Sequence, residues 1–139
     1  MSKDSKIFSN NILLSNLIKI RWIAITGQLT SIVIVYYYLQ IYIPILLCLI
    51  FVLFSTIVNL ISFYLKKNND YLSDKEAFLF LLFDTIQLSM LLYLTGGIYN
   101  PFSLLLIAPL IISASYLPIV FSIILSSLSV LIVFLLSFF

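Results

Sequence analysis

From Thr85 to Phe139 the chain carries no charged residue. A run of that length cannot be the buried helix of a soluble domain, and water would not tolerate it exposed. A bilayer crossed more than once is the setting that accommodates it. The rest of the composition agrees, with 63% hydrophobic and 9% charged residues and a mean hydropathy of +1.24. We therefore expect an all-α, polytopic membrane bundle in which lipid takes the place of much of a buried core. The formal charge of +2 comes from a few flanking lysines and one arginine. It reports topology, not an affinity for nucleic acid.

The apolar runs divide into five expected spans: 22–39, 45–65, 77–94, 103–117 and 119–139. Most are near the roughly 20 residues needed to cross hydrocarbon, and the fourth is short. Before them, residues 1–21 form a polar, lysine-bearing segment. Within it Phe8, Ile12, Leu13, Leu17 and Ile20 recur at helical spacing opposite Asn11, Ser15, Asn16 and Lys19. That pattern predicts a short amphipathic helix lying on the bilayer surface, followed by a transmembrane sensor domain over 22–139.

Lys3, Lys6, Lys19 and Arg21 precede the first span, and Lys66, Lys67 and Lys75 fill the loop between the second and third. The other loops carry no positive charge, which predicts a cytoplasmic N-terminus and an outward-facing 96–102 loop. Five spans from a cytoplasmic start leave Phe139 outside. Nothing polar caps that end, so the expectation is a truncated chain, with at least one further helix needed to bring a C-terminal domain inside.

Asp84 is the one ionisable residue within the expected spans, and an intramembrane carboxylate is by default a functional candidate. Gln87, three residues on, shares its helix face. Counting depth from the expected span ends puts Gln28, Asn59 and Asp84 all roughly 9–11 Å inside the cytoplasmic rim. This predicts a polar layer of Gln28, Asn59, Asp84 and Gln87 across the first three helices. Three roles are open to it: interhelical glue, signal coupling, or a proton or ion path.

Between the third and fourth spans stands Gly96-Gly97-Ile98-Tyr99-Asn100-Pro101-Phe102. Two glycines relax the backbone, and Pro101 removes a donor and stiffens the turn. Asn100 sets one strong hydrogen-bonding side chain between two aromatic residues, Tyr99 and Phe102. The plain reading is a helix-breaking turn. The functional reading is a site for a lipid-soluble carbonyl compound such as a quinone. There is no phosphate-cradling loop, no paired carboxylates, no metal-ligand spacing and no histidine. A phospho-accepting histidine within these residues is thereby excluded. Cys48 is single and has no internal disulfide partner.

Two blocks resemble the membrane sensor of RegB-type (PrrB, ActS) redox-responsive histidine kinases. One is Ile20-Arg21-Trp22-Ile23-Ala24-Ile25-Thr26-Gly27-Gln28. The other runs from Phe83-Asp84-Thr85-Ile86-Gln87-Leu88, through Tyr93-Leu94-Thr95 and the 96–102 loop, to Leu106-Ile107-Ala108-Pro109 and Ile112-Ser113-Ala114. The loop matches the family signature GGxxNPF at every fixed position.

The resemblance implies a multi-pass protein of the bacterial inner membrane that works as a homodimer in lipid and reads the redox state of the ubiquinone pool. It also implies that ubiquinone is a regulatory ligand contacted by Gly96, Gly97, Asn100, Pro101 and Phe102, with Asn100 donating to a carbonyl and Phe102 packing on the ring. In that family the phosphorylated histidine, the ATP site and the redox-sensitive cysteine lie in a cytoplasmic kinase core. The core passes phosphate to a response regulator, and it has no counterpart here; Cys48 does not correspond to its cysteine. These 139 residues hold no catalytic group of their own, and no metal is expected. Two other readings compete, a small permease or channel component and a non-functional remnant of a truncated kinase gene.

Overall fold

The computed structural model describes residues 14–65 and 72–138, and over these the chain is a helical bundle. Five α-helices follow in order: α1 (Leu14–Val33), α2 (Ile45–Leu65), α3 (Asp74–Leu94), α4 (Ile107–Tyr116) and α5 (Ile119–Leu136). Among the described residues four helical segments are long and apolar enough to cross a membrane, and the helical stretch Phe102–Tyr116 is shorter. The protein is a multi-pass membrane bundle.

The exposed surface is overwhelmingly aliphatic and aromatic. Leu46, Ile50, Leu53, Phe54 and Ile57 on α2, and Val120, Ile123, Ile124, Val130 and Leu131 on α5, all point outward. In water such a surface would drive aggregation, whereas in hydrocarbon it costs nothing.

α3 is the hub, packing on α2, α4 and α5 and on the segments that follow it, while α1 lies mainly against α2. At one end Leu17 and Ile18 pack with Ala77, Leu81, Leu117 and Leu125. At the other, Ile25, Ile32, Val35, Cys48, Val52 and Leu91 form a second cluster, against which Phe102 is lodged.

α3 starts three residues earlier than hydropathy suggests, at Asp74, for a local reason. Ser73 accepts from the Glu76 backbone N–H, and the Glu76 carboxylate accepts from the Ser73 N–H at 3.0 Å. This reciprocal capping satisfies two orphan donors, and Asp74 and Glu76 complement the positive end of the helix.

α1 is continuous through the expected boundary at residues 21–22, so residues 14–21 are its first two turns and not a separate surface helix. Leu17, Ile18 and Arg21 there are almost fully buried. They pack inward on other helices because an apolar stripe gains more from protein neighbours of matching shape than from the bilayer surface. The expected amphipathic positions before Leu14, and the lysine-bearing 66–71 loop, lie outside the described residues. At its far end α1 widens into a π-helical turn, Ile34–Tyr38, closed by Leu39 N–H donating to Ile34 at 3.0 Å. The chain then reverses through Gln40, whose φ of +51° is left-handed.

Candidate functional site

Two polar constellations stand out, one in the middle of the bundle and one at the end of α3. In the middle, Arg21 of α1 meets Asp84 of α3, Nη2 to Oδ1, at 3.1 Å. The guanidinium carbon also lies 5.3 Å from the Phe80 ring centre and 5.5 Å from that of Phe83. The cation is thus held by a carboxylate and two ring faces, which is how a bilayer can accommodate an arginine. The charge of Arg21 belongs to the bundle interior and not only to the membrane rim, so Asp84 has a partner that a rim assignment conceals.

Further along the same two helices, Gln28 and Gln87 donate reciprocally, at 3.3 and 3.2 Å, and Gln87 Nε2 also donates to the Phe51 carbonyl at 3.3 Å. This knot ties α1, α2 and α3 together. Asn59, fully buried, donates to the Ile18 carbonyl at 3.4 Å. The four expected residues therefore do not form one layer around Asp84. They are spread along α1 from Ile18 to Gln28, about 15 Å at 1.5 Å per residue. The depth count misplaced them because α1 begins at Leu14 and α3 at Asp74, earlier than hydropathy alone suggests.

At the end of α3 the backbone turns through Gly96 (φ +113°) and Gly97 (φ +61°), then a 3₁₀ turn Gly97–Tyr99 and a 3₁₀ segment Pro101–Leu106 that leads into α4. Both positive φ values suit glycine and penalise any side chain. The space beside Gly96 is open, so the cost of a Cβ there is conformational. Gly96→Ala should lower the unfolding free energy by about 1–2 kcal/mol, measurable as earlier denaturation in mixed detergent. An unchanged midpoint would mean that the turn relaxes freely.

Asn100 is buried, 2% exposed, and its side chain is hydrogen-bonded through both its nitrogen and its oxygen. Its amide donates to Thr95 Oγ1 at 2.7 Å and to the Thr95 carbonyl at 3.4 Å, and its Oδ1 accepts from the Phe102 N–H at 2.9 Å. Thr95 in turn donates to the Leu91 carbonyl at 2.8 Å. Both donations of the Asn100 amide go to Thr95, so in this arrangement its side chain holds the loop to the end of α3. Phe102 is lodged in the core cluster, and Tyr99 is 85% exposed. Pro101 occupies the first position of the 3₁₀ segment, where its missing N–H costs no hydrogen bond.

Between this loop and α5 lies a groove of about 330 Å³, lined by Ile98, Ser103, Leu106, Leu110, Ser129 and Val133. Ser129 Oγ is buried there with no hydrogen-bond partner among the described residues. Sequence reasoning missed Arg21, Thr95 and Ser129 as site residues. The unpaired Asp84 was a signal for Arg21, since a carboxylate at that depth needs a cation. Thr95 and Ser129 gave none.

Comparison with known proteins adds a family. Over 117 residues, 84% of its length, the chain is 42% identical to the sensor histidine kinase RegB of Cereibacter sphaeroides, of which it covers 25%. A second RegB sequence, from a named strain of that species, is 41% identical over 76 residues, 55% of this chain and 16% of the relative. The chain thus spans about a quarter or less of the length of the curated relatives it matches. No family model matches, and no solved structure does.

Proposed function

We propose, because the chain belongs with the membrane region of RegB-type sensor histidine kinases, that it reads the redox state of the ubiquinone pool through the loop of residues 96–102. The observation that carries this reading is the groove beside the loop. Its walls are apolar, its size suits a small lipid-soluble headgroup, and it holds one buried unpartnered hydroxyl, Ser129. In this scheme Gly96, Gly97, Asn100, Pro101 and Phe102 shape and hold the wall. Ser129 supplies the polar contact, donating to a quinone carbonyl or accepting from a quinol hydroxyl.

Oxidised and reduced quinone bias the bundle only by their difference in affinity for its two packings. α3 carries the loop at one end and Asp84 and Gln87 in its middle, so a displacement begun at Thr95 reaches both interhelical ties. The output of such a sensor is ATP-dependent phosphorylation of a histidine in a cytoplasmic kinase core, followed by transfer to a response regulator. A homodimer is the form in which helix displacement would reach that core. The N-terminus is cytoplasmic in this scheme, with the loop on the outer side.

Saturable binding of ubiquinone-1 to the chain in lipid nanodiscs tests the reading. Binding should be retained in wild type and lost in both Asn100→Leu and Ser129→Leu. Full binding in these variants, with helicity preserved, would overturn the loop assignment.

A further inference from the structure

Between α1, α3 and α4 a groove of about 150 Å³ opens toward the lipid, with Ile23, Ala24, Asp84 and Ala108 among its walls. In a protein interior a space of that size takes one aromatic ring. Two polar groups at its edge are left over by the bundle. Asp84 faces Arg21 through Oδ1, is 20% exposed, and receives no hydrogen bond at Oδ2 among the described residues. Ser55 is 3% exposed, lines the same space and makes no hydrogen bond among the described residues. Lipid tails offer neither group a partner, so the natural occupant of the groove brings a hydrogen-bond donor.

Such a donor stands on the outer face of α1. Trp22 is 39% exposed, and its indole N–H has no acceptor among the described residues. It lies seven residues into the crossing stretch Ser15–Tyr38, about 10 Å at the helical rise, below the headgroup layer. It also follows Arg21 directly, so donor and acceptor share one level in the membrane. Within one chain they stay apart. At 3.6 residues per turn Trp22 sits roughly 160° around α1 from Ala24, which borders the groove.

A second copy brings the two together. Copies of one chain cross the membrane in the same sense, so a two-fold axis relating them runs along the bilayer normal and preserves depth. Across such an axis opposite flanks of the paired helices meet, and the Trp22 flank of one α1 lies against the groove flank of the other. Between the flanks α1 presents Thr26, Gly27 and Thr30. Both threonines donate to carbonyls of their own helix, and a Cβ on Gly27 would meet nothing within 4 Å. A seam of small residues lets two backbones approach closely.

We infer that a second copy of the chain docks on the α1–α4 face, the partner subunit's Trp22 entering the groove and donating to Asp84 Oδ2. By symmetry the contact is made twice. It shares with the quinone reading only the two-fold assembly, and holds whether or not the 96–102 loop binds a ligand.

The test uses the fact that Trp22 is the only tryptophan in the sequence. The whole chain, with a donor or an acceptor dye at its N-terminus, is placed in phosphatidylcholine vesicles and diluted with lipid. Energy transfer between dyes follows association. In unlabelled chains, quenching of Trp22 by brominated phosphatidylcholine follows contact of the indole with lipid. We expect quenching to rise as energy transfer falls, with one midpoint. Trp22→Phe keeps a ring and removes the donor, and should weaken association about tenfold. Ala108→Phe fills the groove from its own chain and should weaken it at least as much, leaving Trp22 quenched at every dilution. Neither variant can make the contact with itself, but a mixed dimer can make it once. Its Ala108→Phe chain supplies Trp22 and its Trp22→Phe chain the open groove, so mixing should restore energy transfer above either variant alone.

Tryptophan quenching that ignores dilution in wild type would overturn the proposal, because acyl chains would then fill the groove. So would absent energy transfer at the highest protein density, or a mixture that associates no better than its components. Should Ala108→Phe lose helicity, Ala24→Phe on the opposite wall takes its place. Loss of ubiquinone-1 binding in Asn100→Leu with the dilution curve unchanged would separate this contact from the loop.

Discussion

Removing the Arg21 guanidinium alone should destabilise the bundle far more than removing Arg21 and Asp84 together. Arg21→Met leaves Asp84 without its cation in the middle of a hydrocarbon-embedded bundle, and stranding one member of a buried pair costs about 3–5 kcal/mol. Asp84→Leu strands a cation instead, but Phe80 and Phe83 remain 5.3 and 5.5 Å from it, and long arginine stems can reach for the interface. Its cost should therefore be the smaller of the two. The double variant Arg21→Met/Asp84→Leu removes both charges and keeps comparable volume, so it should recover most of the loss, as buried pairs replaced by apolar residues do elsewhere. Unfolding in mixed dodecyl maltoside and dodecyl sulfate micelles would measure all three. Additive effects across the cycle would mean that the two residues do not stabilise one another, and Asp84 would need another partner.

Helix content and repeated crossing follow from hydropathy, because a bilayer imposes its thickness on every segment independently. Asp84 also announces itself, since an ionisable group in hydrocarbon is costly wherever it sits. Its partner does not. Arg21 lies beside Lys19 and Trp22 in a segment that the positive-inside rule explains completely, so nothing local distinguishes a rim charge from an interior one. The offset of α1 against α3 decides it, and that offset depends on the packing of Leu17 and Ile18 with Ala77 and Leu81.

Gln28 and Gln87 were both legible as polar residues inside spans, whereas their mutual pairing was not, for the same reason of register. Thr95 was hidden differently. A hydroxyl in an apolar helix normally bonds the carbonyl one turn back, and Thr95 does so to Leu91. Its second role, accepting from Asn100, emerges only once Gly96 and Gly97 fold the chain back over it.

If the loop acts as a clamped wall, Thr95→Val should weaken ubiquinone-1 binding about as much as Asn100→Leu does, although Thr95 has no place in a direct quinone contact. Valine matches threonine in shape but takes away the oxygen 2.7 Å from the Asn100 amide, leaving a buried donor unmade. Such a loss costs about 1–3 kcal/mol, which corresponds to roughly tenfold or more in affinity when binding requires the ordered loop. Thr95→Ser keeps the oxygen and should stay within about twofold of wild type. Amide hydrogen exchange at Gly97 to Phe102 should rise in Thr95→Val and Asn100→Leu alike, and remain slow in Thr95→Ser. The opposite pattern is equally clear. If Asn100 itself donates to the ligand, freeing it from Thr95 would preserve or tighten binding while Asn100→Leu abolishes it, and the clamp would have to give way to direct recognition.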